Sequence, residues 1–150
     1  MRFQRVLIAL DDSALAAHAV DVGIALTRAL GAEAALVHVV DPKLAYVPDS
    51  GIPAARIMAD LKREGHALLE AAVARTPDAP PLWQFLREGG PPHEIIAAAR
   101  EWNADLIVLG AHGRSGFRRM LLGNTAEAVL RHAPCPVVAV RAHEAGPAPN

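Results

Sequence analysis

The sequence predicts an α/β fold: a single doubly wound, open, parallel five-stranded sheet of order 3-2-1-4-5 with helices on both faces. Two observations carry this. Short runs such as RVLIALD (Arg5 to Asp11), DLIVLG (Asp105 to Gly110) and PVVAVR (Pro136 to Arg141) are apolar at consecutive positions, as strands must be when both faces of a sheet are covered. Segments of helical spacing separate the strands, so the order reads β-α-β-α-β-α-β-α-β, the alternation that builds parallel sheets. At 150 residues and 52% hydrophobic content, one domain has enough chain to bury a core.

Each element has its own signals. RVLIALD is the first strand. SALAAHAVDVGIALTRALG (Ser13 to Gly31) then changes to helical periodicity, with Ala16, Val20, Ile24 and Thr27 on one face. Ser13 is expected to cap its start and Gly31 to end it. EAALVHVVD (Glu33 to Asp41) is the second strand, and PKLAYVPDSGIPA is a Pro/Gly-containing connection. The second helix is expected from near Ala54 to Thr76, facing inward through Ile57, Leu61, Leu68 and Ala72. PLWQFLREGG alternates and is the weakest strand signal. PHEIIAAAREWN is a short helix with Pro92 near its start and Ile95, Ala99 and Trp102 inward. A last helix, Thr125 to His132, lies between the fourth and fifth strands. The domain is expected over 1–142, with AHEAGPAPN closing the chain as a flexible tail from residue 143.

Composition excludes several function classes. Fifteen basic against 16 acidic residues, a net charge of −1, supplies no broad basic field for nucleic acid or a membrane surface. Any anion site must therefore be local. The single cysteine, Cys135, allows no internal disulfide framework. No run approaches the roughly 20 apolar residues of a membrane span, and MRFQRVLIALDD is too short and too acidic for a secretory signal. The expected location is the cytoplasm.

In open parallel sheets, ligands bind beyond the carboxyl ends of the strands, where the strand order reverses. That rule nominates Asp11 and Asp12, the stretch Val39 to Asp41, and the loop GAHGRSGFRRMLLGN from Gly110 to Asn124. The loop holds four glycines and three arginines. No GxGxxG follows the first strand and no GxxxxGK[ST] occurs, so dinucleotide dehydrogenases and P-loop enzymes are excluded. What stands there is Gly110-x2-Gly113-x9-Gly123, then Asn124 and Thr125 opening a helix. Glycines let backbone N–H groups approach an anion closely, and the first N–H groups of a helix complement negative charge. Spacing alone is equally compatible with a turn.

Taken with IALDDS, LVHVVD, EGGPPHEII, DLIVLGAHG and LLGNTAEAVLRHAPCPVVAVR, the loop resembles that of the universal stress proteins of the nucleotide-binding subgroup. The likeness extends to Arg141. It implies an ATP-binding, dimeric stress-response or signalling module, with ADP or AMP as alternative ligands and Mg²⁺ or Mn²⁺ beside the phosphates. Residue by residue, it puts Ala9 beside the base, Asp11 at the ribose, the backbone of Val39 on the adenine edge, and Leu109 and Gly110 near base and ribose. The peptide groups of Gly113, Gly123, Asn124 and Thr125 would hold the phosphates. Arg114 either joins them or is a solvated loop residue. At Asn124 the sequence departs from the Ser or Thr usual in the pattern; Asn can still cap the helix, but its larger amide crowds a terminal phosphate. The resemblance also implies a homodimer through the last strand, Pro136 to Arg141. That edge is apolar up to Arg141 and is an aggregation hazard unless covered.

The alternatives are structural and functional. Asp11 or Asp12 could cap the first helix beside Ser13, Arg118 and Arg119 read as a solvated face, His112 as a loop hydrogen-bonder and Cys135 as a packed small residue. A phosphoacceptor receiver domain would need an Asp after the third strand and a Lys after the fifth, where FLREGG and VVAVRA have neither. A pyrophosphatase or amidotransferase loop would need glycines in LDDSAL. The stronger rival is a dimeric interaction module of the same family without functional nucleotide binding. No general base is evident, so ATP hydrolysis is expected to be slow at most.

Overall fold

The computed structural model describes residues 1–112 and 122–142. Its strands are β1 (Arg5–Ala9), β2 (Glu33–Val40), β3 (Leu82–Glu88), β4 (Leu106–Gly110) and β5 (Val137–Val140); its helices are α1 (Leu15–Leu30), α2 (Ala54–Ala74), α3 (Pro91–Trp102) and α4 (Asn124–His132). All strand pairs are parallel and the order is β3-β2-β1-β4-β5, as the sequence predicts. A single 3₁₀ turn, Pro42–Ala45, follows β2. Among the described residues no helix is long and apolar enough to cross a membrane.

The sheet separates two apolar layers, and alternation along β1 supplies both. Val6 and Ile8 face α1 and α2 together with Ile24, Leu36 and Leu69, whereas Leu7 and Ala9 face α3 and α4 with Ile95, Ala99, Ile107 and Val129. Burying an aliphatic side chain of this kind contributes roughly 1.5–3 kcal/mol, so the central strand, sealed on both sides, anchors the fold. At its amino end, Asp105 accepts hydrogen bonds from the amides of Gln4 and Arg5 at 2.8 and 3.0 Å. This registers β1 against the start of β4. On the outer side, Arg87 of β3 pairs with Glu94 and Glu101 of α3 at 3.0 and 2.7 Å.

The inward face of α1 is as expected, with Ala16, Val20, Ile24 and Thr27 buried. Its end is too: Gly31 adopts φ 63°, a left-handed conformation, and donates back to the helix. Its start differs. The helix begins at Leu15 with Ala14 at the cap position, so Ser13 lies one residue too early to cap it, and the Ser13 amide is held by the Asp11 carboxylate at 2.9 Å. In α2 the deepest residues are Gly65, Leu69 and Ala72, while Ile57, Leu61 and Leu68 are only half-buried. The last two border an open cleft instead of the closed core. Helix α4 begins at Asn124, one residue before the expected Thr125, with extended Gly123 at the cap position. Asn124 is therefore inside the helix and does not cap it.

Candidate functional site

The cleft lies at the carboxyl edge of β1, β2 and β4 and has a volume of about 410 Å³. It opens where the strand order reverses, because β1 sends its helix to one face of the sheet and β4 leads to α4 on the other. Eight of the ten residues expected at the site line it: Ala9, Asp11, Val39, Leu109, Gly110, Gly123, Asn124 and Thr125. Gly113 and Arg114 lie outside the described residues, as do Arg118 and Arg119.

The β2 side presents polar backbone. Val40 accepts from Gly89 at 3.0 Å, so the even-numbered residues at this end of β2 turn their peptide groups to β3. Val37 accepts from Leu10 at 3.0 Å, so the odd-numbered ones turn theirs to β1. The β1–β2 ladder ends at Ala9 and Val37. Two residues on, the N–H and C=O of Val39 point to the β1 side past the last rung, and no described residue pairs with them. An N–H beside a C=O matches the acceptor and donor of an adenine edge.

On the opposite side, the N-terminus of α4 has no side-chain cap among the described residues. The first N–H groups of a helix have no intrahelical partner and favour an anion. Gly123 itself is not among the available donors, since its amide already donates to the Ala111 carbonyl at 2.7 Å. The Gly123 peptide N–H is therefore not available for the phosphate-holding role that the resemblance implies for it. Gly123 has φ −64° and ψ 159°, so no left-handed backbone requires a glycine there.

Asp11 does not cap α1, which has no side-chain cap. One carboxylate oxygen, Oδ1, accepts from Ser13 and shapes the turn into α1, while the side chain is half-exposed at the cleft wall. Asp12, Asp41 and Glu64 also line the cleft, and no lysine or arginine does among the described residues. Asp41 Oδ1 is engaged by the Lys43 amide at 3.0 Å. Cys135 is half-buried against the α3–α4 layer, and burial pushes its thiol pKa up.

Sequence reasoning missed His38 and Gly65, which also line the cleft. His38 Nδ1 lies 2.8 Å from the Leu10 carbonyl. Because a carbonyl only accepts, Nδ1 carries the proton. Gly65 sits inside α2 although glycine costs roughly 0.8–1 kcal/mol in a helix relative to alanine. A Cβ there would stand 2.9 Å from His38 Cδ2 and 2.7 Å from Leu86 Cδ1. The signal was present: a glycine in the middle of a helical pattern and a histidine in an apolar strand both need a packing reason.

A parallel α/β sheet with its cleft at the switch point defines the class of protein. The chain belongs to the universal stress protein family, whose model matches residues 2–141. It is 32% identical over 149 residues to universal stress protein YxiE of Bacillus subtilis, covering 93% of this chain and 99% of that one. Among solved structures, universal stress protein UspA from Lactobacillus plantarum superposes with a TM-score of 0.79 at 28% identity, over 94% and 99% of the two chains. Two more share the fold at 24% identity and 93% and 98% coverage: a universal stress protein in complex with cAMP, TM-score 0.72, and one from Archaeoglobus fulgidus in complex with dAMP, TM-score 0.67.

Proposed function

We propose that the cleft binds an adenine nucleotide, ATP in the first instance. The base lies beside Ala9 and near Leu109 with its edge on the backbone of Val39, the ribose lies at Asp11 and Gly110, and the phosphates run toward the amides of Asn124 and Thr125. Gly113, outside the described residues, is the further phosphate contact that the resemblance implies. The observation that carries this reading is the unpaired N–H and C=O of Val39 facing, across one cleft, an uncapped helix N-terminus. The cAMP and dAMP complexes of the two neighbours support it, since the same fold accepts adenine nucleotides in those proteins.

The carboxylates Asp11, Asp41 and Glu64 in the lining disfavour a bare triphosphate. Mg²⁺ or Mn²⁺ fits here as a companion of the phosphates, with one or two carboxylates or waters completing its shell. Among the described residues no three His, Cys, Asp or Glu side chains converge on a common metal position. The protein's part is to orient the nucleotide, and hydrolysis is slow at most. Turnover of roughly 1–10³ per second, the range of ordinary enzymes, would contradict this.

We further propose a cytoplasmic homodimer formed through β5. It is an edge strand of the sheet, and a free apolar edge invites pairing. Calorimetric titration with ATP, ADP and AMP, with and without Mg²⁺, tests the ligand. Saturable binding of at least one is expected. Absence of binding by all three would leave the dimeric interaction module as the function.

A further inference from the structure

We propose that His38 is a positioning residue that keeps the base-reading backbone of Val39 open, by satisfying the one carbonyl that would otherwise draw the Val39 amide into the ladder. If the parallel ladder continued past its last rung, the next hydrogen bond would run from the Val39 N–H to the Leu10 C=O. The preceding bond of that series, from the Leu10 N–H to the Val37 C=O at 3.0 Å, is in place. The next one is not. The Leu10 carbonyl is taken by the His38 ring, with Nδ1 at 2.8 Å. A buried carbonyl seeks a partner, and Leu10 is only 6% exposed. The imidazole thus removes the force that would add a rung and consume the Val39 amide.

The second helix is shaped around this ring. Any side chain at Gly65 would meet His38 Cδ2 at 2.9 Å, so α2 gives up a side chain where the imidazole is seated. His38 and Val39 are consecutive in β2 and face opposite layers, so the ring reaches Leu10 from the α2 side and leaves the strand edge clear. The consequence is selectivity as well as affinity. A free N–H beside a free C=O suits the N1 and N6 of adenine, whereas a 6-oxopurine presents its donor and acceptor in the reverse order.

The ligand half of this inference rests on the adenine-nucleotide reading; the backbone half does not, and the experiment separates them. In the ligand-free protein, nitrogen-resolved NMR should show the His38 proton on Nδ1, and amide hydrogen exchange should find Val39 exchanging at least tenfold faster than Val37. His38→Phe should slow Val39 exchange about tenfold as its amide captures the Leu10 carbonyl. His38→Asn, whose amide nitrogen stands where Nδ1 did, should leave it fast. Titrations should then show ATP affinity reduced at least tenfold in His38→Phe and within threefold of the parent in His38→Asn, with the preference for ATP over ITP lost only in the former. A proton on Nε2 in the parent, or equal Val39 exchange in parent and His38→Phe, overturns the proposal, the first even if the Phe variant does not fold. If the parent binds neither ATP nor ITP while Val39 exchange behaves as described, the nucleotide reading falls and the backbone role of His38 stands.

Discussion

The amide of Gly123 donates to the carbonyl of Ala111 at 2.7 Å, joining the residue just past β4 to the residue just before α4. The segment between them begins and ends at one point, so both ends of the glycine-rich loop are held at the mouth of the cleft. Gly123 is in an extended conformation that any residue can adopt. Gly123→Val should therefore fold, with a stability change within about 1 kcal/mol. If phosphate approaches that backbone, the added side chain should cost at least tenfold in ATP affinity by calorimetry, about 1.4 kcal/mol. A folded Val variant that binds as tightly as the parent would show that nothing approaches there.

Asp11 has two tasks that substitution can separate. Asp11→Ala loses the acceptor for the Ser13 amide, a bond whose net worth is about 0.5–1.5 kcal/mol, and any contact with a ribose. Asp11→Asn keeps a carbonyl oxygen for Ser13 and removes the charge. Thermal melts should rank Asp11→Asn with the parent and Asp11→Ala below it. ATP affinity should fall in both, and a deficit confined to the melts would assign Asp11 to the turn alone.

The edge strand β5 allows a clean test of self-association. Ile107 donates to the Pro136 carbonyl and Ala111 to the Val140 carbonyl, so the even-numbered residues of β5 bond to β4 and the N–H of Ala139 points to the free edge. Val138 packs against the α1–α2 layer, so a lysine there would disturb the monomer as well as the edge. Ala139→Pro removes only an outward donor, and proline is tolerated on edge strands. Light scattering at micromolar concentration should show a dimer for the parent and a monomer for Ala139→Pro. A monomeric parent would remove the dimer from the functional reading.

The Arg87–Glu101 pair makes a small, acid-sensitive contribution to stability. Hydrogen bonding from the Arg87 guanidinium holds the Glu101 carboxyl below its ordinary value. A depressed carboxylate stabilises the fold above its unfolded pKa, about 4.3 for Glu, and loses that contribution as pH falls through the lower folded value. At neutral pH, Glu101→Gln should melt slightly below the parent. The gap should close below about pH 4, and a gap that widens on acidification would contradict the assignment.

Much of the fold was legible because its causes are local. A strand sealed on both faces must be apolar at consecutive positions, and RVLIA and LIVLG are so. A helix that ends in a left-handed residue favours glycine, and Gly31 fills that place. The site was legible in part for a related reason, since the carboxyl ends of β1, β2 and β4 are where this topology leaves room, and the glycine spacing marked one wall. The residues by themselves determined a parallel α/β sheet and the neighbourhood of its cleft. Tertiary structure alone decided which polar groups in that neighbourhood are already committed. Asp11 is half-spent on Ser13, the Gly123 amide on Ala111, and the Leu10 carbonyl on a histidine 28 positions away. Those commitments depend on the register at which β1 meets β2 and on how closely α2 approaches at Gly65. Hydrogen-bond partnership is settled at the scale of an ångström between distant segments, and residue type and spacing along the chain do not carry that distance.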